Sequence, residues 1–495
     1  MKPRQKLALF LVFLMILTTL AACRDSQDDT EETTTGAGTV TTDETTNDLY
    51  DVNGFLKDSL PGNLNYNDEN FVILCDNGQQ KQVHVDEQNG DLVNDAVWSR
   101  ERTVRDRLGV NIIMQYDNIN WSERTAFLEK VGAYVSSGSS DYDLVVGYNL
   151  AIPMLSAKGY CLNLADNEYL ELDKPWWPSE YVNNLTYNGK IYCICESGGR
   201  GVIRNMSAVL FNKRLMEAYV TEDIYDIVLS GGWTFDKLSQ LIVGTYIDLN
   251  ANNQKDAADQ FGYSTAFNPL FDAYFYACGN RLTTSDAEGK LTFTFSDVEH
   301  ITTYLEKICD FLHGTNDVLA YDPVQYGLFK EEKAVFYGST IAITDQLKGL
   351  DILYGIAPMP KGDESQSRYY THLGNTYDVW CILMTCEDPS RSGAVLECYS
   401  SEAYRQVNPA YFETALKYKY ASDDQAAQVY DIIRDSIVID LAYAYSCVFG
   451  RMPMLYIRDC LTDNNRNWAS IWRAQSRVLE RELEIILENI SKLDY

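Results

Sequence analysis

Between residues 71 and 148, short apolar runs alternate with amphipathic stretches, and this alternation restricts the fold more than any other feature of the chain. Phe71-Val72-Ile73-Leu74-Cys75 has the length and bulk of a buried strand. Val93, Val97, Val104 and Leu108 then recur at helical spacing, and Gly109 supplies a C-terminal stop. Val110 to Met114 is the next strand. A helix opening at Ser122-Glu123 carries Phe127 and Val131 to an end near Gly138, and Asp143-Leu144-Val145-Val146-Gly147 is a third strand. Strand, helix, strand, helix, strand implies a parallel sheet with helices on its faces, an α/β class. Ligands of such sheets sit beyond the carboxyl ends of the strands, which points to Tyr148 and Asn149.

Two further elements are legible. Trp233-Thr234-Phe235-Asp236 predicts a helix entry capped by Thr234, with Leu238, Leu241 and Ile242 on one face. Trp468, Ile471, Trp472, Leu479, Leu483, Ile486 and Ile490 mark a long amphipathic helix whose role is packing on a lobe.

The first residues have the layout of a secretory signal. Lys2, Arg4 and Lys6 precede an unbroken apolar run from Leu7 to Leu17. That run falls short of the roughly 20 apolar residues needed to span a bilayer. Leu20-Ala21-Ala22-Cys23 resembles the bacterial lipobox, in which the Cys thiol takes a diacylglycerol before cleavage. Residues 1–22 are therefore expected to be a signal peptide and Cys23 to carry a lipid anchor on the outer face of the cell membrane. Residues 23–67 are rich in Asp, Glu, Thr, Gly and Asn and poor in bulky apolar groups, and are expected to be a disordered tether.

Charge and cysteine usage exclude several classes. The formal net charge is −30, and losing the three basic residues of the signal would take it to −33. A surface so acidic repels phosphate backbones, so no nucleic-acid partner is expected. Beyond Cys23 the other 11 cysteines form no CxxC pair, and His84, His300, His313 and His372 are scattered, which argues against structural zinc or a disulfide framework. Cys193 and Cys195 would lie roughly 6.6 Å apart on one strand face, near the upper limit for a bridge, so buried free thiols are expected. The 35 tyrosines offer flat apolar faces with polar tips, suited to stacking on sugar rings.

Several stretches together carry a family resemblance. They are Asp141-Tyr142-Asp143-Leu144-Val145, Tyr187-Asn188-Gly189-Lys190-Ile191-Tyr192, Leu210-Phe211-Asn212-Lys213, Phe329 to Gly338, and Tyr354 to Gly362 with its Pro358-Met359-Pro360-Lys361-Gly362 turn ahead of Trp380-Cys381-Ile382. In this order and spacing the chain from about residue 68 resembles the extracellular solute-binding proteins of family 1, which feed carbohydrate importers of the ATP-binding-cassette class. The resemblance implies a two-lobe, periplasmic-binding-protein-like fold of type II, with a hinge and an interlobe cleft. The N-terminal lobe would comprise 68–205 plus 373–424 and the C-terminal lobe 206–372 plus 425–495. It further implies a monomer that binds a small carbohydrate, needs no cofactor, performs no catalysis and docks on permease subunits. The tryptophan often found after the Tyr337-Gly338 position is replaced by Ser339-Thr340, which removes one expected stacking platform.

Cleft-lining candidates by position are Tyr148, Glu196, Tyr274, Ser339, Asn375 and Tyr377. Aromatic faces would stack on a sugar, and amide or carboxylate groups would pair with its hydroxyls. The run from Asp248 to Asp259 also has calcium-loop spacing, with ligands at Asp248, Asn250, Asn252, Gln254 (carbonyl), Asp256 and Asp259, and is equally an Asx-rich turn. Rival readings are a peptide, polyamine or metal-complex binder on the same fold, and a secreted glycosidase, which needs two opposed carboxylates that nothing singles out.

Overall fold

The computed structural model describes residues 49–492 except 79, 267, 287–288 and 413–423; Cys23 and the signal segment lie outside the described residues. The three strands expected first are β1 (Glu69–Asp76), β2 (Val110–Asp117) and β3 (Leu144–Tyr148). They are followed by β4 (Ser207–Asn212), β5 (Phe261–Thr265), the hairpin β6 (Thr283–Ser285) and β7 (Leu291–Phe293), and β8 (Val318–Leu319). The remaining strands are β9 (Ala334–Thr340), β10 (Tyr354–Pro358), β11 (Thr371–His372), β12 (Asp378–Cys381) and β13 (Ile437–Val438).

The first sheet has the order β12-β3-β1-β2, with β1 parallel to both neighbours and β12 antiparallel to β3, Asp378 opposite Tyr148. All five residues of β3 are buried, as a strand covered on both faces requires. Helix Leu92–Leu108 opens on Asp91, whose carboxylate accepts from Val93 N and Asn94 N, and closes on Gly109 at φ 58°, a left-handed turn that glycine adopts without strain. The second sheet has the order β10-β4-β9-β5-β8. Within it Gly355 lets β10 lie against the Phe211 ring, which a Cβ would meet at 2.0 Å. Thr234 caps helix Phe235–Leu241 by accepting from Lys237 N, as its sequence predicts.

Between the sheets the chain passes through a narrow band. Met206 bridges Leu373, and β11 pairs with β13, Thr371 beside Ile437 and His372 beside Val438. Helix Pro389–Glu402 packs on Leu92–Leu108, whereas helix Asp424–Asp435 packs on β10.

Two segments depart from the sequence reading. Residues 55–67, expected in the tether, include a docked stretch: buried Asp58 holds the Arg107 guanidinium in two contacts of 2.5 and 2.6 Å, and Leu60 joins the core. A segment with few apolar groups is here fixed by a buried ion pair rather than by a core of its own. The last helix, Trp468–Lys492, is expected on the C-terminal lobe and touches both. Trp468 Nε1 donates to Phe295 O at 3.0 Å beside the second sheet's helices, while Tyr192 Oη of the first lobe donates to Ile490 O at 3.2 Å. Among the described residues no helix is long and apolar enough to cross a membrane.

Candidate functional site

A cavity of about 460 Å³ opens where the chain crosses between the sheets. Gln82, Asn375 and Thr376 line it on the side of the first lobe, and Pro269, Leu270, Gln325, Tyr326, Thr340 and Ala342 on the side of the second. The crossing segments themselves add Asn205, Ser207 and His372, and the C-terminal region adds Tyr443 and Arg458 beside Asp272.

Several of these polar groups are placed by fixed contacts. Asn205 donates from Nδ2 to Gly201 O at 2.9 Å and Thr376 O at 3.0 Å, and its Oδ1 accepts from Thr376 Oγ1 at 2.8 Å. These bonds tie the last turn of helix Arg200–Asn205 to the returning strand segment. Arg204 pairs with Asp345. Arg458 grips the buried Asp272 with Nε to Oδ1 at 3.0 Å and Nη2 to Oδ2 at 2.5 Å, and Tyr443 Oη donates to Oδ2 at 3.4 Å. Burial pushes the Asp272 carboxyl above its usual range against the pull of Arg458, and the carboxylate holds the Arg458 guanidinium firmly charged. The pair brings no net charge to the wall.

His372 lies between two tyrosines, stacked on Tyr276 at 4.5 Å and 4° and edge-on to Tyr443 at 4.6 Å and 87°. Burial, and then the nearby Arg458 charge, push its imidazole down to about 3, so it is neutral across physiological pH. Its Nδ1, Gln82 Oε1 and Ser207 Oγ are buried without a hydrogen-bond partner among the described residues, and all three belong to residues that line the cavity. An unpartnered buried polar atom costs about 1–3 kcal/mol.

Of the six residues expected at the cleft, Asn375 lines the cavity. The other five are buried elsewhere. Ser339 is buried in β9, and successive side chains of a strand face opposite ways, so its neighbour Thr340 reaches the cavity instead. Tyr274 is packed against Phe235 and bonded to Tyr263 Oη at 2.8 Å, while Asp272, two residues earlier on the helix, faces the cavity. Glu196 is enclosed in the first lobe with Arg100 at 3.3 Å. Tyr148 and Tyr377 are interior, and Tyr377 O accepts from Asn149 N at 3.2 Å. Trp176 and Trp177 are core, both donating from Nε1 to Glu397 at 2.9 and 3.1 Å.

Sequence reasoning missed Gln82, Asp272, Tyr326, His372, Tyr443 and Arg458. The one available signal was a carboxylate, Asp272, inside the aromatic run Phe271 to Tyr276.

The Asp248–Asp259 loop closes on itself. Asp248 accepts from Asn252 N at 3.3 Å and Asn253 N at 2.8 Å, Asn250 Oδ1 from Asn252 N at 2.9 Å, and Asn252 Oδ1 from Gln254 N at 2.7 Å. Asp256 accepts from Asn252 Nδ2 at 2.8 Å, and Asp259 from Leu249 N at 3.2 Å and Tyr246 Oη at 3.0 Å. Asn253 takes the left-handed conformation, φ 56°. Among the described residues no three His, Cys, Asp or Glu side chains converge as metal ligands, so the calcium expectation rests on spacing alone.

Solved structures place the fold. The chain is similar to the galacto-N-biose-/lacto-N-biose I-binding protein of an ABC transporter from Bifidobacterium longum, in complex with lacto-N-biose: 13% identity, 85% of this chain and 98% of that one, TM-score 0.53. It is similar to a maltose-binding periplasmic protein from Listeria monocytogenes in complex with maltose, at 13% identity over 86% of this chain and 99% of that one, TM-score 0.50. A cyclo/maltodextrin-binding protein complexed with maltotetraose matches at 13% identity over 86% and 96%, TM-score 0.50. No protein-family model matches the chain, and no curated protein matches its sequence. The fold is that of the two-lobe periplasmic binding proteins, an α/β architecture.

Proposed function

We propose that the protein captures a sugar or short oligosaccharide in the cavity at the hinge and, held outside the cell membrane by a lipid on Cys23, hands it to a permease of an ATP-binding-cassette importer. The observation that carries this reading is the cavity itself, walled from both lobes and their crossing segments, with Gln82 Oε1, Ser207 Oγ and His372 Nδ1 buried and unpartnered in its lining residues. Sugar hydroxyls both donate and accept, so they suit a wall that mixes amide, hydroxyl and imidazole groups. The one buried carboxylate of that wall, Asp272, is neutralised by Arg458, which suits binding of an uncharged guest without acid–base chemistry. A guest that touches both walls favours the closed arrangement by its differential affinity for it, and closure is what a permease reads. Likeness to proteins solved with lacto-N-biose, maltose and maltotetraose supports the carbohydrate class.

The test is thermal shift followed by calorimetry with mono- to tetrasaccharides, di- and tripeptides and polyamines. A saccharide that raises the melting temperature by mass action is the expected result. A response confined to peptides or polyamines would overturn the carbohydrate reading, and release of shortened sugars would overturn the absence of catalysis. Mass spectrometry of the membrane fraction should find diacylglycerol on Cys23 and lose it in Cys23→Ala.

A further inference from the structure

Tyr326 holds a backbone conformation that its own side chain makes costly. Its φ is 69°, in the left-handed region. Eight described non-glycine residues have positive φ; five are Asn or Asp, and Tyr326 is the only aromatic. A Cβ in this region crowds the backbone, so Gly or Asn would hold the same turn at less cost.

The loop is built to keep the tyrosine there. Tyr326 N donates to Tyr337 Oη at 3.0 Å, and Tyr337 Oη in turn donates to Asp322 Oδ2 at 3.0 Å. Asp322, itself buried, also accepts from Val324 N at 2.9 Å and Leu328 N at 2.8 Å. The half-buried ring lines the cavity, with its hydroxyl accepting from Gln325 Nε2 at 2.9 Å. Strain maintained by a dedicated hydrogen-bond hub, at a residue on a cavity wall, is the pattern of a ligand contact rather than of a turn.

We propose that Tyr326 is the specificity-determining platform of the second lobe, its ring lying against the CH face of a cyclic sugar. Its ring belongs to a loop, whereas the end of β9 contributes the small side chain of Thr340 to the cavity. The assignment rests on the carbohydrate reading above. A ring held in this way favours guests with a flat apolar face and gives nothing to an open-chain polyol with the same hydroxyls.

The experiment compares wild type with Tyr326→Phe, Tyr326→Asn and Gln82→Ala by calorimetry against maltose, maltotriose, maltotetraose and lacto-N-biose, with circular dichroism and melting curves confirming that each variant is folded. For whichever probe wild type binds, Phe should bind within about threefold and Asn about tenfold or more weakly, the loss of one aromatic stack. Asn should fold as well as wild type, because the residue is at ease in the left-handed region. Unchanged affinity in Tyr326→Asn alongside a loss in Gln82→Ala would overturn the platform and leave the cavity reading standing. Silence of wild type toward all four sugars would overturn both.

Discussion

Asn188, in a turn of the first lobe, donates from Nδ2 to Ser491 Oγ at 3.0 Å, next to the end of a helix whose first residue, Trp468, is anchored on the second lobe. Lys190 Nζ reaches Ser491 O at 3.3 Å beside it. A helix of 25 residues is stiff over roughly 37 Å, so docking its two ends on different lobes makes it a strap across them. Any hinge motion would have to slide or release one end.

At the end on the first lobe, Ile490 is buried beside these contacts and is the residue to remove. Ile490→Ala should destabilise the protein by about 2–4 kcal/mol in urea unfolding, the usual cost of emptying such a site. If the helix restrains opening, small-angle scattering of the ligand-free variant should give a larger radius of gyration than wild type, and saturating ligand should bring the two together. Identical scattering with the same loss of stability would make the helix simple packing.

The contact between Arg458 and Asp272 gives a sharper stability test. Asp272 is 1% exposed, so Arg458→Met strands a buried carboxylate and should cost about 3–5 kcal/mol. Asp272→Asn in the same chain removes that charge and should recover most of the loss. Denaturant midpoints of the two single variants and the double variant measure the coupling, and additive losses would show that the carboxylate finds another partner.

The parts of this molecule legible in its sequence are those set by local pattern. β3 is buried on both faces and is therefore apolar at every position from Leu144 to Val146. Gly109 and Thr234 end and begin helices by local backbone chemistry, so their roles needed no tertiary knowledge. The site is different in kind. Choosing Thr340 over Ser339 requires the phase of the pleat, which the fully buried β9 does not reveal by alternation. Arg458 meets Asp272 across 186 residues of sequence, and no spacing rule connects them. Tyr326 gives no signal in the sequence, because positive φ at a tyrosine has no composition cue.

The Asp248–Asp259 loop offers a test of its own stability. Asp248 satisfies two backbone N–H groups, so Asp248→Ala should cost about 1–2 kcal/mol in calcium-free buffer through the lost turn bonds alone. Repeating the melts after chelation and with added Ca²⁺ isolates any metal contribution: a calcium-dependent rise in wild type that Asp248→Ala lacks would establish the site, and equal curves would leave an Asx turn.

His372 makes acid sensitivity predictable in sign. The groups around it are the Tyr276 and Tyr443 rings and the charge of Arg458, which is itself paired with Asp272. Its folded value of about 3 lies below the 6.5 of an exposed imidazole, chiefly through burial. Below pH 6.5 the unfolded chain therefore takes up a proton that the folded protein refuses, and stability is lost as pH falls from 6.5 toward about 3, by up to about 1.4 kcal/mol per pH unit. Above 6.5 the residue contributes no slope. His372→Phe keeps the stacked shape and has no proton to bind, so its urea midpoint should fall less steeply than that of wild type between pH 6 and 4, while carboxylates elsewhere contribute equally to both. Parallel curves would mean that the folded protein protonates this imidazole as readily as the unfolded chain does, and that the Tyr276 and Tyr443 rings do not keep it from the proton.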